Sequence, residues 1–555
     1  MQSPRDAVGS ANLSQSPFSR FLNTNSVPTD AECEAIRQFL SGLQKNFAAF
    51  SGEIGRMQAA ISDLASQCRR LRENIDAHQA LVSLARRLPE DVIREIFLAC
   101  LPSTGNAVMS SREAPLLLGQ VCGSWRKIAF STPQLWSSLH VVVPNLSKLR
   151  LITGAVGAWL TRSGVLPLSI TLAVSAACEP GSDNVATMLD VLTHFSRRWK
   201  HVKITLSPRT ILTPLTNLRV SDVPMLENVA FTSIGSGTWQ NLVAPLEIPW
   251  RAFNFLRAPT IRGASFASLG GNMLSLPLPW ARLSSLSLTA GNIKDSTSYH
   301  LTTSAALLIL RQCPNLTSCS ICISPDRSDD PDIQNQTSFT IPGLTDLAVD
   351  NREHSQANAV ALFMCLLAPS LKRFQYHGPK YAGRLPFASL FSAINALESL
   401  TMDITGLMAD AFLHCVELVP SLTHLRLESG GAYDPWSAPG AWGREDPPVT
   451  PNDLLRLLTP VSAAAECAAP FLRRVELVRC APLADDVVLN FITLRGEADR
   501  ALTHVDVVFA RQREFDIRPH LQDLVADGLH VALEYLPAPQ VASYSPWEGF
   551  EQSAY

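Results

Sequence analysis

The chain has 555 residues, 46% hydrophobic and 17% charged, with a formal net charge of −3 and a pI near 6.5. That balance supplies ample apolar surface for a core and lacks the basic stripe of a nucleic-acid-binding protein. The longest uninterrupted apolar stretch is about nine residues, against the ~20 that span a bilayer, so neither nucleic acid nor membrane is an expected partner.

Residues 1–31 are rich in Ser, Asn, Gln and Pro, lack the apolar segment of a signal peptide, and read as a flexible tail. The twelve cysteines are irregularly spaced and mostly lie within apolar runs, as Cys365 does, where a free thiol acts as a small hydrophobe. The expectation is a soluble, reduced protein of the cytoplasm or nucleus.

A long helix is expected over 32–86. Ile36, Leu40, Leu43, Phe47, Phe50, Ile54, Met57, Ile61, Leu64, Cys68, Leu71, Ile75, His78 and Val82 recur at alternating spacings of four and three. This is the 3.5-residue seam of a coiled coil, in a rod of roughly 70 Å. Gly42, Gly52 and Gly55 lie inside it, each costing about 1 kcal/mol relative to Ala, and few charges flank the seam. Two arrangements stay open: pairing with a second helix, self-association included, or packing back onto the same chain.

The most informative stretch follows, over 87–143. Leu88-Pro89 starts a helix with Glu90 and Asp91 in its first turn, where negative charge suits the helix dipole. Val92, Ile93, Ile96, Phe97 and Leu101 then recur at helical spacing, as do Leu117, Val121, Cys122, Trp125, Ile128 and Ala129. Pro133 breaks that run before Leu135-Trp136. Taken in order, Leu-Pro, an acidic pair, Ile-Phe, Val-Cys, Trp-Arg, Ile-Ala and Pro-x-Leu-Trp resemble the F-box, as found in the large F-box families of mushroom-forming fungi. The resemblance covers about a tenth of the chain. It implies a three-helix module that docks a Skp-type adaptor and, through it, a cullin–RING ubiquitin ligase. Family contacts carry over by motif position to Leu88, Pro89, Val92, Ile96, Phe97, Leu101, Val121, Cys122 and Trp125. Residues 102–114 depart from the family pattern, forming a longer and more polar link that puts ordinary adaptor affinity in doubt.

From 150 to 536 a repeat emerges with the template apolar-x-x-apolar-x-apolar. Its eleven instances begin at Trp199, Leu226, Ile261, Leu283, Leu316, Leu344, Leu371, Leu397, Leu422, Leu472 and Leu502. Seven have proline two residues earlier (Pro224, Pro259, Pro314, Pro342, Pro369, Pro420 and Pro470), which ends a helix and sets an extended approach to a strand. Helical patterns fill several gaps, at 303–311, 356–367, 410–418 and 452–458. One interval spans 50 residues, about two periods, and carries a Gly/Pro/Trp-rich insertion over 429–451. The pattern resembles irregular leucine-rich repeats: an α/β solenoid with parallel strands on the concave face and helices outside. Residues 537–555 read as a C-terminal tail.

No motif of an active site is present, so no catalytic activity and no cofactor are expected. Cys319 and Cys322 form a lone Cys-x-x-Cys without further zinc ligands, and Cys319 fills an apolar repeat slot. An unknown protein target would meet the outward strand positions, among them Arg373, Gln375, His377, His424, Arg426 and Glu428. Tyr433, Trp436 and Trp442 in the insertion form a second candidate, since Trp and Tyr are enriched among binding hot spots. The function so implied is the substrate-recognition subunit of a Skp–cullin–F-box ligase. The alternative is an oligomeric repeat scaffold with a vestigial or ligase-independent F-box.

Overall fold

A computed structural model describes residues 16–82, 84–143, 149–174, 183–206, 212–233, 250–267, 272–289, 301–324, 337–353, 355–379, 385–394, 396–429, 450–460, 468–498, 502–536, 544–545 and 549–550. The chain divides into two compact units, 1–93 and 94–555, with the dividing point inside the helix Glu90–Ala99.

The first unit is dominated by helix α1, Asp30–Leu81. The Glu32 carboxylate starts it, accepting from the Thr29 amide at 2.8 Å and the Thr29 hydroxyl at 2.6 Å. Those bonds from Thr29 hold the Glu32 pKa below its ordinary value. Ahead of the helix, Phe18 packs edge-on against Phe39 at 5.8 Å, and Arg20 pairs with Glu32. The seam side chains from Leu40 to Val82 stay exposed, including Phe47, Ile61 and Leu64.

The second unit opens on the part of α2, the helix Glu90–Ala99 just named, from Arg94 on, followed by two short helices, α3 over Leu118–Val121 and α4 over Gly123–Phe130. Strands follow in the order β1 Ser138–Val143, β2 Leu168–Val174, β3 Trp199–Leu206, β4 Asn228–Ser233, β5 Gly263–Ala267, β6 Ser285–Thr289, β7 Ser318–Ile323 and β8 Phe339–Thr340. Then come β9 Asp346–Asn351, β10 Leu366–Leu367, β11 Arg373–His377, β12 Ser399–Asp403, β13 His424–Glu428, β14 Arg474–Cys480, β15 His504–Phe509 and β16 His530–Glu534. All but β8 and β10 join one open, fourteen-stranded parallel sheet in chain order, and β8 pairs separately with β10. This is an α/β solenoid.

The repeat template explains how each strand is set. Its second and third apolar positions point inward from the strand, as Leu347 and Val349 do, while the first, such as Leu344, is buried just before it. The prolines do more than end helices. In all seven cases proline is the second residue of a tight turn, with the first template residue donating its amide three residues back, as Leu371 does to Ala368 and Leu422 to Val419. Proline's fixed φ suits that place in a turn. The next residue then bonds its counterpart one repeat earlier: Thr345 to Thr317, Lys372 to Thr345, Glu398 to Lys372 and Thr423 to Glu398, at 2.9 Å each.

Helices fill the later gaps at Thr303–Arg311, Gln356–Cys365, Ala409–Glu417 and Pro451–Leu458. Leu366 and Leu367, expected as the end of a helix, instead form β10. The 50-residue interval is one repeat, not two, because β13 pairs directly with β14. The earlier connections described around β5 are short 3₁₀ turns, such as Asn254–Arg257 and Trp280–Arg282.

Candidate functional site

In the first unit, Leu88, Pro89 and Val92 are all exposed, while Ile93 is buried. In the second, the helices divide their apolar residues by direction. Phe97 is fully buried and meets the half-buried Trp125 edge-on at 5.0 Å, so Phe97 serves the interior instead of offering the contact expected of it. Ile96 and Val121 remain 40% and 58% exposed, and Leu101 is half-buried. Leu117 was absent from the expected contacts yet is 44% exposed. Its place four residues before Val121 is the sequence signal for a shared helical face.

Cys122 has a local duty. Its Sγ accepts the Trp125 amide at 3.5 Å and so caps α4. Arg126 steadies the preceding turn, donating from Nε to the Gly119 carbonyl at 2.8 Å. The Pro-x-Leu-Trp segment then anchors these helices to the first repeat. Leu135 and Trp136 are fully buried, and the Trp136 indole donates to the Ala129 carbonyl at 2.8 Å. Its ring meets Trp159 edge-on at 4.8 Å, and the Arg162 guanidinium lies 4.9 Å from its centre.

The polar link over 102–114 is built into the solenoid. His140 of β1 donates its amide to the Ala107 carbonyl at 2.7 Å, and Val108 bridges His140 in parallel. Asn106 donates to the Thr171 hydroxyl at 3.0 Å and accepts from the Ser169 hydroxyl at 2.9 Å. The link thus extends the sheet past its first strand and covers part of an otherwise open edge.

Beside that link the concave face holds a groove of about 330 Å³, floored by small residues such as Ala230, Gly263 and Ser265. Any Cβ at Gly263 would collide with the Asn228 carboxamide at 2.0 Å. Asn228 donates to Nδ1 of His201 at 2.7 Å, which leaves Nε2 carrying the ring proton of the neutral imidazole. Partial burial, aided by Lys200, pushes the His201 pKa below its ordinary value. Lys203 is exposed, and no carboxylate pairs with it among the described residues.

The later half of the concave face is charged and cross-linked. Parallel register sets Asp346 beside Arg373, His424 beside Arg474, and Arg426 beside Glu476. Arg373 donates to Asp346 at 2.8 Å. Glu476 is the hub, accepting from Arg426 and Arg474 at 2.7 Å each, with His424 at 3.1 Å. Burial opposes ionisation of Glu476, but the two arginine hydrogen bonds outweigh it and hold the pKa below its ordinary value. Arg426 also donates to Glu428 at 2.6 Å, Arg474 to Asp506 at 2.8 Å, and Gln375 lies 2.7 Å from His377. Most of these charges are therefore answered within the face, and Arg373, although held by Asp346, is the most exposed of them, with 63% of its side chain open. Trp436 and Trp442 lie outside the described residues.

No family model matches this sequence, and no curated protein matches it. Among solved structures, a chain from the crystal structure of the Rad7 and Elc1 complex in yeast aligns over 91% of this chain and 98% of its own. The identity is 13% and the TM-score 0.34, a likeness too slight to carry any argument. The solenoid stands on its own strand pairing.

Cys319 and Cys322 are both buried, and burial pushes the Cys319 thiol up to about 12, as it does at Cys415. Among the described residues, no three metal-binding side chains converge, and no helix is long and apolar enough to cross a membrane.

Proposed function

We propose that this chain is a non-enzymatic substrate receptor of a Skp–cullin–F-box ubiquitin ligase, with its target held on the concave face. One observation carries the reading. The segment bearing the ordered F-box-like motif folds into helices that bury Phe97, Ile128, Leu135 and Trp136 while leaving Ile96, Leu117 and Val121 open. Exposed apolar side chains on anchored helices suit the apolar, desolvated core of a protein interface. The concave face adds a preorganised polar surface carrying both charge signs, which favours selectivity over general stickiness. A second reading, an oligomeric scaffold, is favoured by the exposed seam of α1.

The deciding experiment is co-purification of a Skp-type adaptor with the wild type and with Ile96→Asp/Val121→Asp. Burying two new carboxylates is expected to reduce recovery by at least about tenfold. Both positions are exposed, so the variant should melt with the wild type. Equal recovery by the two proteins, or recovery by neither, rejects the proposal.

A further inference from the structure

We infer that α1 pairs with α1 of a second copy of this chain as a parallel, in-register, two-stranded coiled coil. Its apolar seam defines the heptad: Leu40 opens an a layer and Leu43 a d layer. Within α1 the later a positions are Phe47, Ile54, Ile61, Cys68 and Ile75, and the later d positions are Phe50, Met57, Leu64, Leu71 and His78. From Ile54 on, isoleucine holds three of the four a positions and leucine two of the four d positions, a distribution that favours two parallel strands over higher assemblies.

The flanks agree with a second copy as the occupant. In a parallel pair each g residue faces the e residue five positions later on the other strand. That sets Glu53 against Gln58, Asn46 against Ser51, Gln67 against Arg72 and Asn74 against Gln79, with no like-charged pair. Some charges pair within their own helix, Arg37 with Glu34 at 3.0 Å, Arg56 with Glu53 at 3.9 Å and Arg72 with Asp76 at 3.7 Å. The three glycines fall at b, c and f, away from the seam, and open space surrounds each. They lower helix propensity without interrupting the contact surface. Seam residues such as Phe47, Ile54, Ile61 and Leu64 are more than half exposed in the protomer. Closing a seam of this length buries on the order of 800 Å² per strand, the scale of a stable specific interface.

Cys68 fixes the register. It is an exposed free thiol at an a position, so in the proposed pair it faces Cys68 of the other copy. An antiparallel pairing over the whole seam would set it against Phe50 instead. The test uses the full chain at tens of micromolar. Sedimentation equilibrium is expected to give twice the 60.5 kDa chain mass. Ile61→Lys/Leu64→Lys, at positions exposed in the protomer, should return it to one chain mass. Treatment with diamide should link two copies: two Cys68 thiols lose two protons and two electrons, forming one S–S bond as diamide is reduced to its hydrazine. Because Cys33, seven residues before Leu40, also falls at an a position, linking is read in Cys33→Ser, where the linked species should vanish on adding Cys68→Ser. A monomeric wild type overturns self-association, and a Cys33→Ser dimer that is not linked, or is still linked on adding Cys68→Ser, overturns the register.

Discussion

Trp136→Ala is expected to loosen the helical segment from the first repeat by about 3–5 kcal/mol, the usual cost of deleting a fully buried large aromatic. Several contacts converge on this side chain. It is wholly buried, its indole N–H is spent on the Ala129 carbonyl at 2.8 Å, and it lies between Trp159 and Phe130 with Arg162 over its face. Alanine would leave a cavity and an unanswered carbonyl, and α4 would lose its main link to the solenoid. Because stability in a solenoid is local, the loss should appear at this end alone. Hydrogen exchange is the measurement. Amides of 118–136 should lose roughly two to three powers of ten in protection, while those of β12–β15 remain unchanged. A uniform loss along the whole sheet would contradict the anchoring role.

The strands were legible because each repeat must bury three apolar residues at fixed offsets, and that demand is written locally. Three strands escaped the template for physical reasons. In β2 and β16 the first slot is taken by Pro167 and Gly528, residues that turn the chain without filling the slot. In β1 the triplet Trp136, Leu139, Val141 does fit, but its tryptophan also closes the helical motif. The interval between Leu422 and Leu472 misled because length alone cannot separate a second repeat from an insertion; only the pairing of β13 with β14 can.

For the site, outward residues follow from the two-residue period of a strand, and the concave positions fell where alternation put them. Their partners did not, since Glu476 meets Arg426 only through a register set between repeats. On the helical segment, periodicity placed Phe97 and Ile96 on one apolar helix but could not say which of them faces inward. The link over 102–114 read as a bare loop because a single bridge to His140 leaves no alternating pattern in the sequence.

At the other end of the sheet, Asp485→Asn is expected to cost about 3 kcal/mol at neutral pH, as removal of one partner from a buried ion pair does. Asp485 begins the helix Asp485–Ala498 and is 2% exposed. Its carboxylate accepts the amides of Glu514 and Phe515 at 3.2 and 3.0 Å and the Tyr535 hydroxyl at 2.9 Å, with Arg511 at 3.1 Å. One side chain thereby ties the last long helix, the loop after β15 and the chain just past β16. Burial alone would raise the Asp485 pKa, but the Phe515 amide, Tyr535 and Arg511 outweigh it and hold it below the ordinary 3.8. A depressed carboxylate pKa gives stability that is complete above the unfolded value and lost as pH falls through the folded one. The gap between wild type and Asp485→Asn in urea melts should therefore stay level from pH 7 to pH 5 and narrow below about 4. A gap that keeps its size at pH 3 would show that the asparagine acts through packing and not through lost charge, because by then the unfolded wild type has begun to take up a proton that the native carboxylate resists.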